Sequence, residues 1–351
     1  MSTPSADSII RTHFPHHKIK TADRVQSLWS NYGEIVRYHL GNQDTSQLQN
    51  NNNSRQTVIL KWVELPDELS VHNHPRGWSS QVSNQRKISS YINEQRFYST
   101  HSINMPDHCY VPKYIASDCF PLPAAPQIMW LLMEDLDALG FDQRFTVATL
   151  DQAKRCIDWL ANYHAHFLPI ETKTLWRTGT YWHLDTRQDE YNAMSEGSVK
   201  IHARAIDQKL ANAHFKTLVH GDAKVANFCF DTRNNRVAAV DFQYTGRGVG
   251  VRDLVYFLGS CFFGRDLVEN ESVLKEYYFN QLRNALTASS CAIDADLVIA
   301  EWRDLYPFCW ADFERFLLGW APTHNKLSGF SKKMTDIAIN QLKKDDCNGS
   351  N

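Results

Sequence analysis

His220-Gly221-Asp222-Ala223-Lys224-Val225-Ala226-Asn227, followed downstream by Asp241-Phe242-Gln243, is the stretch on which the reading of this 351-residue chain turns. Apolar Leu218-Val219 leads into the first segment and apolar Val237-Ala238-Ala239-Val240 into the second, so the pattern is strand, loop, hairpin, then a strand ending in Asp-Phe. Asp222 and Asn227 stand at the H-x-D-x-x-x-x-N spacing of a phosphoryl-transfer catalytic loop. A phosphoryl group in flight leaves a protein little covalent work. It asks for oxygen ligands on magnesium, a cation near the phosphates and a carboxylate to receive the acceptor's proton. Asp222 is the candidate base and Lys224 the candidate cation beside the transferred group. Asn227 and Asp241 are candidate magnesium ligands, since magnesium prefers hard oxygen donors. Any one of these residues alone reads as a turn, a cap or a loop residue. Their joint spacing is what restricts the reading.

Working outward, Thr57-Val58-Ile59-Leu60-Lys61-Trp62-Val63 is a β-branched, aromatic run that predicts a strand, and Ile35 to Leu40 predicts another. Two-residue alternation puts Lys61 on one face with Ile59 and Val63. A lysine there needs an anionic partner. Glu94, on a helix expected over Gln85 to Thr100, is the best placed, with Glu64 the competitor and a snorkelling edge lysine the bland alternative. Further strands are expected at Tyr110 to Ala116 and Ile128 to Met133. Gly33 stands where a phosphate-covering turn would precede a strand, with backbone amides near Asn31 to Gly33 as its donors, although the segment lacks G-x-G-x-x-G. Met133, Glu134, Asp135 and Leu136 lie where the composition shifts and where a base would sit between two lobes. The polar tract Gly41 to Ser54 is expected to be a long mobile hairpin loop.

From Leu150 onward the apolar residues recur at the helical period, and helices are expected at Gln188 to Asn212, Asp253 to Phe263, Leu274 to Ala288 and Ala311 to Trp320. The organisation expected is a polar lead over 1–22, a strand-rich nucleotide-binding lobe over 23–134, a helical lobe over 135–345 and a flexible tail over 346–351. With 37 basic against 39 acidic residues there is no field to draw in nucleic acid or an anionic membrane. Eight scattered cysteines without a C-x-x-C pair suit a reducing compartment and no structural zinc. With no secretory pattern at the start and no long apolar run, the expectation is a cytoplasmic protein with its oligomeric state open.

Near the C-terminus, Trp302, Tyr306, Phe308, Trp310, Phe313, Phe316 and Trp320 could cage a quaternary ammonium, but Phe313, Phe316, Leu317 and Trp320 fall on one helical stripe, which favours core packing. His72, His74, His164, His166 and His183 form no recognisable metal set, and His164 reads as a hydrogen-bonded core residue. Asp253 reads as a helix N-cap, and Arg247 and Arg252 as loop arginines.

These motifs resemble the aminoglycoside phosphotransferase and choline kinase superfamily. The Asp241-Phe242-Gln243 ending is similar to its ecdysteroid kinase-like branch, and the likeness runs from Trp29-Ser30-Asn31-Tyr32-Gly33 through Lys61 and Glu94 to Asp253-Leu254-Val255-Tyr256-Phe257. The resemblance implies an α+β, bilobal protein-kinase-like fold with a small strand-rich N-lobe and a larger, mainly helical C-lobe. It also implies ATP, magnesium and phosphorylation of a small-molecule hydroxyl, the acceptor being sterol-like, an amino alcohol or aminoglycoside-like. Specificity would then lie in Gly179 to Ala213 and Ala300 to Ser331. Two other readings stay open: a nucleotide-binding pseudokinase, and a non-enzymatic regulatory interaction module.

Overall fold

The computed structural model describes residues 4–28, 32–42, 56–65, 80–121, 126–289 and 292–349. Of the loop expected over 41–54, residues 43–54 lie outside them, as do Asn31, His72, His74 and Cys291, while Gly41 and Asn42 belong to a strand.

The run Gln-Thr-Val-Ile-Leu-Lys-Trp-Val-Glu forms β3 (Gln56–Glu64) and takes the centre of an antiparallel sheet, where bulky β-branched and aromatic side chains pack best. It pairs on one side with β2 (Gly33–Asn42), which pairs with β1 (His17–Ser27). On the other side it pairs with β5 (Pro126–Glu134), which pairs with β4 (Tyr114–Pro121). Alternation divides the sheet into two apolar faces. Val36, Tyr38, Leu40, Val58, Leu60, Trp62, Trp130 and Leu132 form one, covered by Ile9 and Ile10 of α1 (Ala6–His13). Val63 and Met129 lie on the other, against Tyr91 of α2 (Ser80–Arg96).

The first 22 residues are therefore not a polar lead. Residues 6–13 are helical, and β1 runs across the expected boundary at 22/23. Eight residues are too few for a helical period to stand out, and β1 is a largely exposed, charged edge strand whose composition mimics a loop.

The second lobe is helical. α3 (Leu150–Phe167) starts at a capping box between Thr149 and Gln152 and buries a face of Ile157, Leu160, Tyr163 and Phe167. One helix expected over Gln188 to Asn212 is two, α4 (Gln188–Ala193) and α5 (Ser198–Ala211). After them come the short strands β6 (Thr217–Val219), β7 (Phe228–Asp231), β8 (Arg236–Ala239) and β9 (Gly246–Gly248), with β6 paired to β9 and β7 to β8. α6 (Val251–Cys261), α7 (Gly264–Ala288) and α8 (Ala295–Trp320) complete the core. α8 starts well before the expected Ala311 and continues through Pro307. α9 (Gly329–Gly349) extends past the expected tail boundary at 346. The aromatic set is core except at its end: Trp302, Tyr306, Phe308, Trp310, Phe313, Phe316 and Leu317 are buried, whereas Trp320, the last residue of α8, is exposed.

Replacing Ile10, which is 1% exposed, by Ala should cost about 2–5 kcal/mol in chemical denaturation. An unchanged midpoint would mean that α1 is dispensable to the sheet.

Candidate active site

Three features of local sequence fix the loop between β6 and β7. Gly221 has φ +81, and a Cβ there would stand 2.2 Å from the Tyr244 carbonyl oxygen, so only glycine fits. Asp253, in the first turn of α6, accepts from the backbone N–H groups of His220 (2.5 Å) and Gly221 (3.0 Å). Its Oδ2 also lies 3.1 Å from His164 Nε2, and His164 Nδ1 lies 2.8 Å from the Tyr278 hydroxyl. Asp253 is thus a fully buried anchor rather than the N-cap expected, because the helix begins one turn earlier, at Gly250. His220 Nε2 is 3.0 Å from the Val240 carbonyl oxygen, which can only accept, so the ring proton sits on Nε2 and Nδ1 accepts from the Asp222 N–H at 3.3 Å. One imidazole ties the loop to the strand end that carries Asp241.

The charged side chains converge on this frame. Asp222 Oδ2 accepts from Lys224 Nζ (2.8 Å) and from Asn227 Nδ2 (3.1 Å), and the same Asn227 amide donates to the Asp222 carbonyl at 2.8 Å. Asn227 therefore has its amide oxygen left for a cation. The Val240 N–H donates to the Asn227 carbonyl, bringing Asn227 and Asp241 side by side. Asp241 has φ +69, a left-handed conformation uncommon outside glycine, and its Oδ1 is buried without a hydrogen-bond partner, 4.0 Å from Lys61 Nζ. A buried carboxylate oxygen without a hydrogen-bond partner, on an uncommon backbone conformation, makes Asp241 a candidate cation ligand. Burial raises the Asp241 carboxyl, but the ammonium groups of Lys61, Lys224 and Lys87 outweigh it and hold the group below its ordinary value. Lys61 pairs with Glu94 at 2.6 Å, both buried, while Glu64 accepts from the Trp62 indole instead. Burial pushes the Glu94 carboxyl up against the pull of Lys61.

Residues 179–290 match the ecdysteroid kinase-like family. Over the whole chain the structure is similar to amicoumacin kinase hAmiN, in complex with AMP-PNP, Ca2+ and Ami, at a TM-score of 0.53 and 14% identity, covering 97% of this chain and 94% of that one. It is also similar to choline kinase from Cryptosporidium parvum Iowa II, at a TM-score of 0.51 and 9% identity, covering 97% and 95%. No curated protein sequence matches the chain. The fold is that of the small-molecule kinases.

In this kinase fold α2 is stitched to the segment after Asp241. Asn93 Nδ2 donates to the Thr245 carbonyl at 2.9 Å and its Oδ1 accepts from the Trp176 N–H at 2.9 Å. Gln243 Oε1 accepts from Ser90 Oγ (3.2 Å) and Lys87 Nζ (3.1 Å). Phe242 stacks on Phe97, ring centroids 3.9 Å apart. These ties hold Glu94 toward Lys61.

The remaining expected residues have structural duties. Gly33 has φ +134 at the start of β2, and a Cβ would stand 2.1 Å from the Trp62 carbonyl oxygen, so the sheet itself demands glycine there. At the lobe junction, Glu134 accepts from the Tyr110 hydroxyl at 2.8 Å, and buried Asp135 takes Arg37 at 2.7 and 3.1 Å. Leu136 packs with Phe141, Cys229 and Ala238, and Met133 is buried beside them at the end of β5. The side chains of Glu134, Asp135 and Leu136 are thus all engaged at the lobe junction. Arg252 is not a solvated loop residue either: it is buried in α6 against Asp312 at 3.5 Å.

Lys87 was missed by sequence reasoning, although Lys87, Tyr91 and Glu94 stand at i, i+4 and i+7 on one helical face. Burial, and then repulsion from Lys61, lowers the Lys87 ammonium from 10.5 to about 8. A lysine whose folded value is depressed destabilises the fold at pH below about 8, and that cost fades as the pH climbs from about 8 to 10.5. Lys87→Met should therefore melt higher than the parent at pH 7, with the gap closing above pH 8, and should bind Mg-ATP more weakly. Parallel melting curves from pH 6 to about 10 and calorimetry check both; a gap that widens with pH contradicts the assignment. Asp253→Ala, which orphans two buried backbone N–H groups and leaves His164 without its carboxylate, should cost at least about 3 kcal/mol in denaturation.

Proposed function

We propose that this protein is a magnesium- and ATP-dependent kinase that phosphorylates a hydroxyl of a small molecule. The observation that carries the reading is the bare, buried Asp241 oxygen on a left-handed backbone, set among Lys61, Lys224, Asp222 and Asn227. Asn227 and Asp241 would hold magnesium, which when bound neutralises phosphate charge. Lys61, steadied by Glu94, would contact the nucleotide phosphates, and main chain at Met133 to Leu136 would face the base.

The chain's own part in the transfer follows from the geometry. Asp222 is buried and held by Lys224 and Asn227, so it presents a fixed carboxylate to the acceptor hydroxyl. As the acceptor oxygen bonds to the γ-phosphorus and the bond to the β,γ-bridging oxygen breaks, the hydroxyl proton passes to Asp222. Lys224 stands beside the migrating group, where negative charge has to be held. Every residue the chemistry calls for is present, which weighs against a pseudokinase. No helix among the described residues is long and apolar enough to cross a membrane.

Mg-ATP or its non-hydrolysable analogue should raise the melting temperature, the stabilisation reaching about 2.7 kcal/mol at a hundred times Kd. Asp222→Asn should keep that shift while lowering turnover by about 100-fold or more. Asp241→Asn should lose the magnesium dependence of the shift. Absence of any shift in the parent protein would sink the kinase reading and favour an interaction module.

A further inference from the structure

Near Asp222 lies a group of aromatic rings, Tyr181 and Phe313 from the two segments expected to set specificity and Tyr244 and Tyr256 from outside them. Tyr181 stands 5.9 Å from Tyr244 and 5.5 Å from Tyr256 between ring centroids, and Tyr256 stands 5.2 Å from Phe313. Such rings could seat a cation through their π faces. The chain has filled those seats itself. Lys326, in the connection between α8 and α9, places Nζ 4.5 Å from the Tyr256 ring centroid and 5.5 Å from that of Phe313. Arg187 lies over Phe316 at 5.3 Å and over Tyr181 at 5.8 Å.

The charges around these rings tell the same story. Among the described residues, no carboxylate comes within ion-pairing distance of Lys326, although Asp222 and Lys224 both act on it. Burial pulls the Lys326 ammonium down to about 8, so this group already lacks compensation. Of the nearby acids, Asp222 is taken by Lys224, Glu190 by Arg187 at 3.0 Å, and Asp312 by Arg315 at 2.9 Å. Arg86, which Arg187 repels, donates to the Thr186 carbonyl oxygen and has no ion-pair partner among the described residues. An ammonium entering here would meet Lys326, which has no ion-pair partner among the described residues, and the unpaired acid nearby is Asp189 of α4, which acts on Arg86.

We infer that Lys326 selects the acceptor, and that the acceptor is an alcohol without positive charge, neutral or acidic, whose polar group meets Lys326 while its hydroxyl reaches Asp222. This rests on the kinase reading above. It excludes the quaternary-ammonium acceptor that the aromatic content would allow and the aminoglycoside-like acceptor that the resemblance implies.

Two measurements on the full chain decide it. In the first, the parent protein with γ-labelled Mg-ATP is offered two pools of alcohols. One is cationic, with choline, 2-aminoethanol and kanamycin; the other is uncharged or acidic, with a polyhydroxylated steroid, neutral sugars and hydroxy acids. Label should enter the second pool only, and Lys326→Glu should raise KM for the labelled acceptor about tenfold while lowering kcat by less. In the second, choline is titrated by calorimetry into the parent, Lys326→Ala and Lys326→Arg, each loaded with Mg-AMP-PNP and each checked for an unchanged circular dichroism spectrum. Emptying the seat should let Lys326→Ala bind choline at least about tenfold more tightly than the parent, with Lys326→Arg behaving as the parent. Label in the cationic pool, or equal choline binding by parent and Lys326→Ala, overturns the inference. If neither pool takes label, the choline comparison still decides; if the parent binds no Mg-AMP-PNP, it is the kinase reading that fails, and the same comparison run without nucleotide scores Lys326.

Discussion

Asp253 is the constraint on which the rest of the site depends. A carboxylate sealed from water is tolerable only when its lone pairs are filled, and here they are filled by two backbone N–H groups of the loop between β6 and β7 and a histidine from α3. That demand fixes His220 and Gly221, and through the His220 tautomer it fixes Val240, so the strand end bearing Asp241 cannot drift from the loop bearing Asp222. The His164 and Tyr278 bonds carry the anchor on to α7, joining the loop to the largest apolar core in the chain. Asp222 owes its position to this helix packing as well as to its own contacts with Lys224 and Asn227.

The N-lobe is tied to this frame through α2. Asn93 of α2 bonds two backbone groups of the helical lobe, at Thr245 and Trp176, and Phe242 stacks on Phe97, so the Lys61–Glu94 pair is held against the second lobe. A buried ion pair of this kind contributes little net stability, because desolvation offsets much of the attraction. Its value lies in fixing where the ammonium points. The surrounding polar stitches, each about 1 kcal/mol net, supply the stability that the pair does not.

Much of this was legible in the sequence, for definite reasons. The loop and the strand-end aspartate keep fixed spacing because a hairpin of set length separates them, and Lys61 declares its face by two-residue alternation. Glu94 could be chosen because one helix follows β3 before β4. The N-terminal helix stayed hidden because eight residues with one pair of isoleucines carry no period, and β1 because an edge strand looks polar. Asp253 was misread because cap and first-turn positions have the same composition. The acceptor wall was illegible in principle. Tyr181, Tyr256, Phe313 and Lys326 are brought together only by tertiary packing, and no spacing rule spans those intervals.

The charges of the site also conflict with its stability. Lys61, Lys87, Lys224 and Lys326 share a small volume with Glu94, Asp222 and Asp241, and two of the four ammonium groups are pulled down to about 8. A sequence selected for stability alone would replace Lys87 and Lys326 with apolar residues of similar length. Their presence makes sense if, as proposed, a polyanionic donor arrives on one side of Asp222 and an uncharged or acidic acceptor on the other. Lys87 lies on the side of Lys61 and Asp241, and Lys326 lies across Asp222 among the rings. One repulsion thus serves both halves of the reaction: it keeps the cleft receptive to a polyanionic donor and closes the acceptor wall to a cation.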